Sequence, residues 1–206
     1  MKKLLIGATL AFVLWFIMFS PWTAQKVNFW AVMFVSGLLL TSYVYLQNKK
    51  DFPRLFTFEP KHILIGIISA IILYFVFYFG KIISFALFDF SAPQVASVYS
   101  TKTGTPTWLI SILLLFIIGP AEEIFWRGFI LEEFLRRFNS RAYALILSTI
   151  LYTLVHIWAF NLMLLVAAFI CGIFWGFIYL RYKSLVPAII SHSLWDFAVF
   201  IVFPFS

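Results

Sequence analysis

The 206-residue chain is 64% apolar and only 11% charged, far below the roughly 25% of charged residues usual in soluble domains. A water-soluble fold is excluded, because unbroken apolar runs stand where polar faces would have to alternate with them. The formal charge of +7 does not point to nucleic acid, since its basic residues lie between apolar runs and form no face or tail.

A spanning helix needs roughly 20 apolar residues, with about 17 tolerable. The runs that qualify are 4–20, 28–46, 63–80, 108–118, 142–160, 162–180 and 185–203. The first follows Lys2 and Lys3 as a signal peptide would, but the bulky Trp22 stands where a cleavage site wants a small residue, so it is read as a retained helix. The fourth continues past Gly119-Pro120 to about Phe138 as one long helix disturbed by Pro120. Residues 82–90 are too few to cross and are expected to extend the third helix, and the polar stretch 91–107 is expected to be a mobile loop. Trp22, Trp30, Trp108 and Trp158 fall near helix ends, where indoles anchor at the membrane interface. Cys171, the one cysteine, lies within an apolar run and can form no disulfide within the chain.

The fold class expected is therefore all-α, a polytopic transmembrane bundle of about seven spans. Basic residues set its orientation. With the N-terminus inside, eleven of them face the cytoplasm, among them Lys49, Lys50, Arg136, Arg137 and Arg181, while Lys26, Lys81 and Lys102 lie outside. The chain is expected to be an integral protein of a bacterial cell membrane, N-terminus cytoplasmic, and to fall into N-terminal helices (1–107) and a motif-bearing core (108–206) of one membrane domain.

Ionisable residues within membrane helices cost at least a few kcal/mol each and are functional candidates. They are Glu122, Glu123 and Arg127, then His156, then His192 and Asp196. Glu123 and Arg127 are four residues apart and can pair as a structural ion pair, whereas Glu122 points about 100° away and is free to face a cavity. His192 and Asp196 share a face, as do Ser148, Tyr152 and His156. Such a set suits activation of water, a carboxylate or carboxylate-imidazole pair taking the proton and an imidazole stabilising the oxyanion. Two His and a carboxylate would equally serve as zinc ligands, so Glu122, His156, His192 and Asp196 are metal-ligand candidates too and the cofactor is zinc or none. Ser191 and His192 are neighbours on a helix and face apart, which argues against a Ser-His pair.

The order Glu122-Glu123-x-x-x-Arg127, Ser148-x-x-x-Tyr152-x-x-x-His156, Gly172-x-x-x-Gly176, His192-x-x-x-Asp196 resembles the CAAX-protease and bacteriocin-processing (Abi) family of intramembrane endopeptidases, over about 108–206. The resemblance implies a helical membrane protease in which Glu122 works with His156 on water, while His192 and Asp196 hold the oxyanion or help bind a metal. Its substrates would be peptides or membrane-anchored proteins cut near the cytoplasmic face. Phe is common in the family where Tyr152 stands, and the eukaryotic prenyl-protein members have Asn where Asp196 stands. Gly172 and Gly176 are assigned to helix packing. A bacteriocin-immunity or scaffold protein of the same fold, or a small transporter using Glu122 and the His residues as a proton relay, are the competing classes. The expected partners are the lipid bilayer and a peptide or membrane-protein substrate, with no nucleic acid, and the oligomeric state is not fixed by the sequence.

Overall fold

A computed structural model describes residues 2–205; Met1 and Ser206, the two ends to which the topology expectation refers, lie outside them. Eight helices carry the fold: α1 (Lys2–Phe19), α2 (Phe29–Gln47), α3 (Lys61–Leu87), α4 (Ser91–Tyr99), α5 (Thr107–Leu135), α6 (Arg141–Val155), α7 (Leu162–Tyr182) and α8 (Val186–Phe197). Among the described residues there is no strand. The protein is an all-α polytopic membrane bundle. Among the described residues six helices are long and apolar enough to cross a bilayer, α6 counting with its 3-10 turn to Ala159, and Val186–Val202 is a shorter apolar helical run.

Burial is inverted relative to a soluble protein. α3 exposes Ile63, Leu64, Ile67, Ile71, Phe75 and Phe79, a surface that suits lipid tails and would be insoluble in water. α5 is enclosed by its neighbours over more of its length than any other span. Side chains from Ala121 to Leu131 along it are all buried.

Pro120 does not break α5. It has no N–H to give and its ring would crowd the carbonyl four residues back. The turn Leu114–Ile118 widens to π geometry, with the Gly119 N–H bonding the Leu114 carbonyl, and the helix continues. A second π stretch, Trp126–Leu131, follows the acidic pair, so Glu122 and Glu123 lie on a short α segment between two widened turns. Gly119 serves a second purpose. A Cβ there would stand 2.5 Å from Ser193 Oγ and 3.1 Å from the Ser193 backbone, so glycine is what lets α8 approach α5 at this level.

Three expectations are corrected. Residues 91–107 are not a plain loop: α4 and a 3-10 turn (Ser100–Lys102) occupy it, docked where Asn161 Nδ2 donates to the Gln94 carbonyl at 2.7 Å and Gln94 Oε1 accepts from the Met163 N–H at 3.0 Å. Trp30 is no interfacial anchor, being buried with its Nε1–H bonded to the Thr101 carbonyl, and Trp158 packs on Phe12 and Phe16 of α1. Trp22 and Trp108 are exposed at helix ends, where an anchor would be. Gly172 and Gly176 are packing residues as expected: a Cβ on Gly172 would stand 2.7 Å from Thr149 Cγ2, and one on Gly176 would strike Leu145.

Lys3 and Phe205 lie at different levels of the bundle. Lys3 pairs with the buried Glu133 at 2.7 Å beside Asn48, whereas the Phe205 N–H bonds the Tyr99 hydroxyl on the side that carries α4.

Candidate active site

Glu122, Tyr152, His156, His192 and Asp196 line one cavity of about 400 Å³. Four helices or their extensions contribute to it at this level: α5 the glutamate, α6 and its 3-10 turn the tyrosine and His156, α7 the aromatic Trp175, and α8 the last pair. From there the cavity runs toward the α4 side between walls that include Met33, Phe77, Val95 and Leu164. Its lining is mostly apolar, so water that reaches the carboxylate does so in a poorly solvating surround.

Counting from assumed membrane edges leaves His156 too high to meet Glu122, and the structure shows why that count fails. α5 is 29 residues long, about 43 Å, and overshoots an approximately 30 Å core. Glu122 therefore stands near its middle, about 22 Å from Thr107 and about 20 Å from Leu135. α6 begins beside the projecting end of α5, and Tyr152 arrives level with Glu122.

Each polar group has a defined partner. The Tyr152 hydroxyl donates to Glu122 Oε2 at 3.0 Å, which is the one hydrogen bond of that carboxylate among the described residues. Glu123 is fully buried, and its Oε1 accepts from both Arg127 (2.8 Å) and His192 Nδ1 (2.7 Å). The expected ion pair is present, and it has a further task, fixing His192. His192 Nε2 lies 3.4 Å from Asp196 Oδ2, and its ring stacks on Trp175 at 3.7 Å between centroids. The Arg127 guanidinium lies over the rings of Tyr152 and Trp175 and bonds the Cys171 carbonyl at 3.1 Å. Ser191 accepts from the Trp175 indole and does not address His192.

His156 departs from the expected arrangement. Its Nδ1 bonds the Tyr152 carbonyl at 2.8 Å, and its Nε2 accepts from the Trp15 indole N–H of α1 at 3.0 Å. Both ring nitrogens are engaged, neither of them with Glu122. Trp15 and Trp175 have no signal in the spacing that led to the other residues, because an indole in an apolar helix looks like core. The adjacency of Glu122 and Glu123 did carry a usable signal: two carboxylates about 100° apart must address two different neighbours.

The donor set does not fit zinc as arranged. His156 offers no free nitrogen, His192 offers one at most, and among the described residues no three His, Cys, Asp or Glu side chains are grouped to hold a metal ion.

Residues 104–198 match the family described as Rce1-like, type II CAAX prenyl endopeptidase. The match covers the motif-bearing segment of the chain and agrees with the resemblance to CAAX-protease and Abi proteins. No curated protein and no solved structure matches the chain. An integral membrane protein with a match to this family supports a reading as an intramembrane protease.

Proposed function

We propose that the chain is an intramembrane endopeptidase in which Glu122 is the general base. The observation that carries this is the carboxylate itself, buried at the head of a mostly apolar cavity with a single hydrogen bond, from a tyrosine hydroxyl, and no ion pair among the described residues. Keeping a carboxylate there costs several kcal/mol, which a structural role would not require.

Water held by Glu122 gives up a proton to the carboxylate as its oxygen bonds the scissile carbonyl carbon. The carbonyl π electrons move onto oxygen, and the same proton then passes from Glu122 to the departing amine as the C–N bond breaks. His192, fixed through Nδ1 by Glu123 and braced on Trp175, is assigned the oxyanion: its Nε2–H, which rests 3.4 Å from Asp196 Oδ2, would turn from that carboxylate to the developing charge. His156 is assigned a supporting place, since its lone pair is already taken. The substrates are peptides or membrane-anchored proteins, and the location is the bacterial cell membrane with the N-terminus in the cytoplasm. The helices of 1–107 complete the core of 108–206 as one membrane domain.

Glu122→Gln keeps the shape and removes the base. The protein should fold normally and lose cleavage of the peptides that membrane proteomics of cells with and without active protein identifies. Near-normal turnover by purified Glu122→Gln would sink the assignment.

A further inference from the structure

We infer that Trp15, from the first helix and outside the family-matched segment, is a positioning residue of the active site that holds His156 in one tautomer and one orientation. The inference rests on the assignment of the site above.

The chemistry of the partners fixes the imidazole. A peptide carbonyl can only accept, so the contact with Tyr152 places a proton on Nδ1. An indole N–H can only donate, so the contact with Trp15 requires an unprotonated Nε2. The ring is the neutral Nδ1–H form: the other tautomer would set donor against donor at Trp15 and acceptor against acceptor at the Tyr152 carbonyl, and a flipped ring would lose both bonds.

Trp15 is itself held firmly. It is 1% exposed, packs edge-on against Trp126 and His156, and sits on a helix whose start is fastened to α5 by the Lys3 pair with Glu133. His156 in turn lies edge-on to the Tyr152 ring at 5.1 Å, and the hydroxyl of that ring bonds Glu122. The route from indole to carboxylate is therefore Trp15, His156, Tyr152, Glu122. It also divides the labour: while the indole bond stands, His156 cannot take a proton from water, and that task is left to Glu122.

The test replaces the indole N–H and little else. Trp15→Phe removes the donor with some loss of ring, and 3-benzothienylalanine introduced at position 15 replaces the N–H by sulfur in a ring of almost the same shape, which covers the case of poor folding by the first. Ring-nitrogen NMR of the full-length protein, with His156→Ala assigning the signal among His62, His156 and His192, should show a single Nδ1–H tautomer in wild type and a mixture in both replacements. On a peptide cleaved by wild type, kcat should fall roughly 10- to 100-fold, by analogy with the loss of partners that orient metal-bound imidazoles, with KM unchanged. A His156 tautomer unaltered in both replacements, or an unaltered kcat, overturns the inference. Glu122→Gln measured alongside separates the two readings: if it still cleaves, the assignment of the base fails, while the tautomer result stands on its own.

Discussion

Arg127 ties three helices of the site together: one guanidinium serves Glu123 of its own helix, a main-chain carbonyl of α7 and the aromatic faces of Tyr152 and Trp175. Its replacement by Ala would leave Glu123 buried with His192 as its remaining partner. A loss of about 3–5 kcal/mol is expected, seen as a large drop in thermal stability in detergent, and a fully stable Arg127→Ala protein would contradict the role. Tyr152→Phe is expected to be milder. It removes the one hydrogen bond on Glu122 among the described residues, and kcat should fall by about tenfold with the fold intact. The engagement of both His156 nitrogens also predicts that exhaustive chelation leaves turnover unchanged. Metal analysis of the purified protein together with activity before and after chelation checks this, and a stoichiometric metal whose removal abolishes cleavage would refute it.

At the scale of elements, the site depends on how closely α8 can lie against α5. Gly119 sets that distance, one turn before Glu123, and Ser193 opposite it is the neighbour of His192. Gly119→Ala would push the helices apart by pressing on backbone, which cannot rotate away. A cost of about 1–3 kcal/mol is expected, with a fall in kcat greater than that destabilisation explains, because the bond between Glu123 and His192 would lengthen first. Thermal unfolding and kinetics on the same preparation separate the two effects. A variant with native stability and native kcat would show that the contact does not set the site.

For the whole molecule, six helices long enough to span and the shorter apolar run Val186–Val202 lead to an expected odd number of crossings. Reporters fused to the two ends should read on opposite sides of the membrane, the N-terminal one inside. Finding both on one side would contradict the arrangement of helices; a clean inversion would contradict only the orientation read from the basic residues.

The membrane class, the helices and the polar positions were legible in the sequence because hydropathy and spacing are local: residues four apart on a helix share a face wherever that helix goes. So the pairs Glu123 with Arg127 and His192 with Asp196 could be read directly, and Glu122 stood out as the carboxylate left over. The helix formed by 91–99 was not legible, since its stability comes from docking on Asn161 and the start of α7. Which side chains meet across helices was not legible either. That depends on the rotation and depth of each helix in the bundle, and a helix longer than the membrane core shifts the depth by several residues. Only the tertiary structure could give Glu122 to Tyr152, Glu123 to His192 and His156 to Trp15, because these bonds join residues 30, 69 and 141 positions apart.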